Sequence, residues 1–281
     1  MAIEIKKELK KSCKNSIRLD ISGAAAQKIG ATRFGGHPDA PSGFKWDYYT
    51  GEDYLDGEAK SRPLSFLAQF DLAEISQYDA ENLLPKTGLL SFFYECDTMR
   101  WGYDPKDRSC ARVYYFEDTS ALSPAPFPGD LEEDLRFPEI GITARSESSY
   151  PCFEDFLLQR GKLLYEWEEF EAAQRSLGIE EPGECSKLLG FPNVIQGNMT
   201  RECELVSRGY YLGDGWDNVT PRDRQEAEQC KDWLLLFQLD TVCADGFELM
   251  WGDCGRLYFY IRKSDLAARN FDNVWLILQC C

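Results

Sequence analysis

Along MAIEIKKELKKSCK, Ile5, Leu9 and Cys13 fall on one side at helical spacing, and Ile17, Leu19 and Ile21 then alternate with polar neighbours at the period of a strand. A helix leading into a sheet is predicted. From Ala31 to Ser61 the residues turn to Gly, Pro, Asp and Tyr and read as a long ordered loop, a kind of segment that often carries function. Strands return with PLSFLAQF, GLLSFFYE and ARVYYFED, set apart by the turn signals LPKTG and WGYDPKD, and RFPEIGITAR resumes as an extended element after PAPFPGD. The run from Phe153 to Leu177 places Leu163, Trp167, Phe170 and Ala173 at helical intervals, with Gly161 dividing it into two helices. Beyond it, LLGFPNVIQGN reads as loop, TRECELVSRG as helix, and PRDRQEAEQC as the lead into the strand WLLLFQLD. GRLYFYIRK follows as a strand, SDLAARN as a helical turn and NVWLILQCC as a last strand.

The pattern echoes itself. FLAQFD (Phe66 to Asp71), MRWG (Met99 to Gly102) and RVYYF (Arg112 to Phe116) are followed, in the same order, by LLFQLD (Leu235 to Asp240), LMWG (Leu249 to Gly252) and RLYFY (Arg256 to Tyr260). Three matches in one order point to an old internal duplication, with GLLSFFYE present in the first copy alone. The expected class is α+β, with largely antiparallel sheets, a diverged internal duplication and an acidic helical middle segment. One domain would span 1–281, with 17–150 the first strand-rich copy and 151–281 the helical segment and second copy. Trp101 and Trp251 are expected to be structural, each packed beside a turn at Gly102 or Gly252.

At these residues the chain resembles the YwqG-like bacterial proteins, a family defined by a domain of unknown function. The resemblance rests on T-R-F-G-G-H-P (Thr32 to Pro38), P-L-x-F-L-A-Q-F-D-L (Pro63 to Leu72), L-P-x-x-G-L-L-x-F-F-Y (Leu84 to Tyr94), L-L-x-Q-L-D (Leu235 to Asp240) and W-G-D-C-G-R-L-Y-F (Trp251 to Phe259). It implies a mixed α and β fold and no established activity. Where a small residue is expected between Asp253 and Gly255 the chain has Cys254, a departure that leaves the turn intact.

Charge and composition narrow the chemistry. Over 281 residues the net charge is −17, and Asp130 to Glu184 alone holds 15 acidic against 5 basic residues. That excess opposes nucleic acid and anionic membranes, whose phosphates need clustered Lys and Arg. No apolar run approaches the roughly 20 residues of a membrane helix, and the N-terminus lacks the apolar core of a signal peptide, so a cytoplasmic protein is expected. The eleven cysteines include no C-x-x-C, so they are read as reduced, without a zinc ribbon or thioredoxin-like site. Cys280 and Cys281 read as an apolar strand end.

His37 is the single histidine, so any His-dependent triad or metal site must use it. Gly35 and Gly36 suit a tight turn with exposed backbone N–H groups, and Arg33 is able to meet an anion; a purely structural turn is the competing reading. GGHP and GDCG match neither dinucleotide nor P-loop spacing, and Trp216 in GDGWDN stands where calcium needs an oxygen, so no cofactor and no metal are expected. The pairs Gln69 with Asp71 and Gln238 with Asp240 place polar groups on one strand face, with Arg112 and Arg256 opening later strands as internal partners or ligand contacts. Together with Asp253 these residues form the candidate binding set. Glu166, Glu168, Glu169 and Glu171 form a candidate acidic docking face. The expected function is a non-enzymatic binding protein that docks a basic protein partner, immunity-like in kind. The alternative is a small-ligand site or enzyme with an Arg/carboxylate pocket between the two copies.

Overall fold

Ile17 and Leu19, both buried, lie on a strand at the middle of the fold. The computed structural model describes residues 2–160, 166–180, 183–244 and 246–281; Gly161 and Leu163, expected within the helical run, lie outside the described residues. Among the described residues, ten strands share one sheet. In chain order they are β1 (Lys14–Ile21), β2 (Arg33–Phe34), β3 (Ser65–Asp71), β4 (Leu89–Tyr94), β5 (Ala111–Phe116), β6 (Ile140–Ser149), β7 (Ser186–Leu188), β8 (Trp233–Leu239), β9 (Arg256–Arg262) and β10 (Trp275–Gln279). Their spatial order is β10-β9-β8-β7-β1-β6-β2-β3-β4-β5, with antiparallel pairing throughout. β1 and β6 form the central pair, from Lys14 opposite Ser149 to Ile21 opposite Ile142, and four strands flank them on each side.

The helices are α1 (Ala2–Ser12), α2 (Leu72–Ile75), α3 (Phe153–Arg160), α4 (Trp167–Ser176), α5 (Thr200–Ser207), α6 (Pro221–Gln229) and α7 (Lys263–Ala267). This mixed content and the antiparallel pairing agree with the expected class. Ile5 and Leu9, one turn apart on α1, are buried together with Phe156 of α3 and Phe170 and Ala173 of α4.

The sheet curls until the inner faces of its two flanks meet. Phe92 of β4 lies 4.7 Å from Phe237 of β8 and 5.2 Å from Phe259 of β9. Full burial of such a ring stabilises by about 1.5–3 kcal/mol, so this aromatic seam is a main reason for the closure. Near the sheet's ends, Leu278 N–H donates to Trp101 O at 3.0 Å and Trp275 Nε1 to Gly102 O at 2.9 Å. A Cβ at Gly102 would stand 1.9 Å from Leu276 O, so this approach of loop to β10 requires glycine.

The outward faces are covered differently. On the second flank Leu235, Tyr258, Tyr260 and Ile277 share a core with Cys203, Leu205 and Val206 of α5 and Ala227 of α6. On the first, Phe93 and Tyr114 are roofed by Phe44 and Trp46, whose rings lie 5.1–6.1 Å away.

Several expectations need correcting. The segment from Ala31 to Ser61 is not all loop, because Tyr48–Glu52 pairs with Ala59–Pro63 as a hairpin whose exposed residues hide its alternation. PRDRQEAEQC does lead into β8, and it does so as a helix with Pro221 at its start and Thr220 Oγ1 accepting from Asp223 N–H at 3.1 Å. RVYYF and RLYFY do not occupy matching places: β5 is two strands from β3, whereas β9 adjoins β8. The strand in β9's position on the first flank is β4, LLSFFY. Trp251 is fully buried and its Nε1 donates to Asp240 O at 3.1 Å, but Trp101 is 40% exposed and is held through its backbone.

Candidate functional site

Arg33 on β2 and Gln69 on β3 face each other across the sheet, and both are buried. The turn after β2, Gly35 and Gly36 at φ +61° and +72°, brings Asp39 back over them. Its Oδ2 accepts from Arg33 Nη1 at 2.8 Å, Gln69 Nε2 at 2.7 Å and Gly30 N at 2.8 Å. Arg33 also donates to His37 O at 2.5 Å and meets Glu139 Oε2 at 3.4 Å. A buried ion pair held this way works as a clasp, although Arg33 Nε and Asp39 Oδ1 have no hydrogen-bond partner among the described residues. Its cationic group is not offered to a ligand.

The second flank repeats the turn and the bonds of its Gln, but not the Arg33–Asp39 ion pair. Leu189 and Gly190 turn at φ +61° and +75°, and Leu189 N–H donates to Leu236 O as Gly35 N–H does to Leu67 O. Gln69 Oε1 accepts from Asp39 N at 3.0 Å, and Gln238 Oε1 from Asn193 N at 2.8 Å. Gln69 Nε2 donates to Ala31 O, Gln238 Nε2 to Cys185 O. Asp71 N–H donates to Thr32 Oγ1, Asp240 N–H to Ser186 Oγ. Both β3 and β8 carry a bulge at the same offset before the Gln, between Phe66 and Ala68 and between Leu235 and Phe237.

The aspartates then diverge. Asp240 Oδ2 accepts from Arg256 Nε at 2.5 Å and Cys185 N at 2.8 Å, as internal pairing predicts. Asp71 instead caps α2 through Ala73 N–H and meets Lys28 at 3.4 Å. Arg112 pairs with Asp47 at 2.9 Å, not with Asp71, since β5 is two strands away. His37 is exposed, stacked 4.2 Å from Phe127, with Nδ1 2.9 Å from Ala125 O. Asp253 is an exposed turn residue whose carbonyl accepts from Cys281 N–H. The candidate residues are therefore distributed as fasteners over both flanks. None of the principal clefts is lined by Arg33, His37, Asp71, Arg112, Asp240 or Arg256.

On α4 and its N-terminus, Glu166 and Glu168 are exposed, Glu169 is partly covered and Glu171 pairs with Arg175 at 2.9 Å. Trp167 beside them is half exposed. Among the described residues no group of three or more His, Cys, Asp or Glu is placed to hold a metal ion, and all eleven cysteines are free. Among the same residues no helix is long and apolar enough to cross a membrane.

Two clefts of about 350 Å³ each open on the outward side of the second flank, separated by the turn at Phe191 and Pro192. One is lined by Lys11, Lys14, Arg201, Lys231 and Lys263, against Asp155 and Glu228, with Tyr260 also in its wall. The Tyr260 hydroxyl is buried and has no hydrogen-bond partner among the described residues. Lys14 lies 4.2 Å over the Phe191 ring; burial first, then the charge of Lys263, push its amine below the ordinary range. The other cleft is lined by Lys187, Glu147, Ser149 and Asn193 among others. Sequence reading took the basic start, Lys6 to Lys14, as a solvated helix face and did not join it to the other residues, which come from distant segments: Lys14 belongs to a strand start and Lys263 to a helix start 249 positions later.

A family model described as "Domain of unknown function (DUF1963)" matches residues 32–280. No curated protein gives a match. The matched span begins just before the Arg33 clasp and runs past the Gln238 clasp to Cys280 at the end of the sheet, and on that coverage the chain belongs to this family of unknown function.

Proposed function

We propose that the protein is an intracellular ligand-binding protein whose ligand is a small anion, phosphorylated or carboxylated, held in the cleft walled by Tyr260. The observation that carries this reading is the unpartnered Tyr260 hydroxyl, buried where four lysines and Arg201 surround one opening. In a chain of net charge −17 a concavity of that composition runs against the average, and its low-dielectric walls focus the positive field. A buried hydroxyl without a partner costs about 1–3 kcal/mol, which a ligand oxygen would recover. An anion between Lys14 and Lys263 would also offset the Lys263 charge, which adds to burial in lowering the Lys14 amine.

Thermal-shift titration of the full chain with pyrophosphate, citrate and a neutral sugar tests it. At least one anion should raise the melting temperature, the sugar should not, and Lys14→Gln should blunt the response. No shift with either anion, or an undiminished shift in Lys14→Gln, overturns the reading.

Two companion readings have separate support. The matched bonds and bulges favour descent of both flanks from one duplicated unit, with β4 rather than β5 as the counterpart of β9. The exposed Trp167 beside Glu166 and Glu168 favours an acidic docking face for a basic protein partner. Its capture of such a partner should weaken with salt and vanish when Glu166 and Glu168 are both changed to Lys; retention by that variant refutes it.

A further inference from the structure

Lys187 stands on β7 where Arg33 stands on β2, each opposite the Gln of its flank. Besides the exchange of arginine for lysine, the two positions differ in the counter-ion. Arg33 has a carboxylate counter-ion, Asp39, but the residue in the corresponding place after the second turn is Asn193, a neutral amide already engaged with Gln238. Lys187 is 4% exposed, and its amine has no hydrogen bond or ion pair among the described residues. It lines the second cleft with Glu147, Ser149, Tyr150 and Asn193. The clasp that neutralises the cation on one flank is thus incomplete on the other, at a position open to a cavity.

We infer that Lys187 is a covalent ligand site, whose amine condenses in this cleft with the carbonyl group of a small aldehyde or ketone to form an imine. The uncharged Nζ adds to the carbonyl carbon, forming the C–N bond while the C=O π pair moves to oxygen. Two protons pass from nitrogen to that oxygen, water leaves, and a C=N bond remains; nothing is oxidised or reduced. Burial supplies the uncharged amine. Desolvation is the largest influence and moves Lys187 down to about 8, with Arg18 and Arg256 acting in the same direction and Cys185 and Glu147 against it. An arginine could not serve, because a guanidinium stays charged, so the exchange of Arg33's residue type for lysine is the change this chemistry requires. The site is separate from the cleft walled by Tyr260 and does not rest on anion binding there.

Brief treatment of the full chain with butyraldehyde and cyanoborohydride, followed by peptide mapping, tests the inference. Lys187 should be alkylated at least about tenfold faster than the exposed Lys7 and Lys10, with a rate that levels off near pH 8. Lys187→Arg, which installs the residue of the other flank, should remove that fast label. Labelling of Lys187 no faster than Lys7 and Lys10, or a rate that climbs through pH 10 like an ordinary amine, overturns it. Should Lys187→Arg fold poorly, the map and pH profile of the unaltered protein decide alone.

Discussion

Glu202 on α5 carries a carboxyl oxygen that is buried without a partner, and burial moves its pKa up to about 7. Between its ordinary value of 4.5 and about 7 the unfolded chain gives up this proton while the folded chain keeps it, so stability falls as pH rises through that window. The cost is about 3 kcal/mol, fully present above pH 7. Denaturant midpoints of wild type and Glu202→Gln measured from pH 4 to 8 should therefore diverge, the variant becoming the more stable at the alkaline end. Trp251 and Trp101 separate just as clearly. Trp251→Ala should cost about 3–5 kcal/mol by emptying a buried site beside Tyr94, whereas Trp101→Ala should stay below about 1 kcal/mol because its backbone makes the contact. Sequence marked both tryptophans equally, since the motif WG carries no information on which ring points inward. It likewise paired both arginines with aspartates, and the partner of Arg112 was illegible because it depended on strand order.

At the scale of elements, the alternation and aromatic runs gave away β1, β3, β4, β5, β8, β9 and β10, whose buried faces dictate their composition. The short strands β2 and β7 did not announce themselves. They exist because a glycine turn follows each and a buried Gln ties each turn to the neighbouring strand. If those two Gln side chains do the same work, Gln69→Ala and Gln238→Ala should each destabilise by about 1–3 kcal/mol, since each leaves buried backbone groups unpaired. Chemical denaturation of the two variants checks the equivalence; a loss at one position alone contradicts it. Gly35→Ala should be worse than either, because its Cβ would stand 2.1 Å from Pro138 O.

For the whole molecule, charge is distributed unevenly. The acidic excess was legible from a count along the chain, but the cationic cleft was not, because its lysines come from both ends of the sequence and meet only after folding. Nor does any sequence pattern reveal a tyrosine whose hydroxyl is left without a partner. In the absence of ligand, Tyr260→Phe should raise the melting temperature slightly, since it removes a buried polar group that nothing satisfies. Bound anion should reverse the order of the two proteins. The most direct measurement is a calorimetric titration of the full chain and of Lys14→Gln/Lys263→Gln with whichever of pyrophosphate and citrate stabilises the protein. Binding to the full chain that weakens at least tenfold in the double variant, with both proteins folded, is the predicted result; equal affinity in the two, or no heat of binding to either, would contradict an anion site in this cleft.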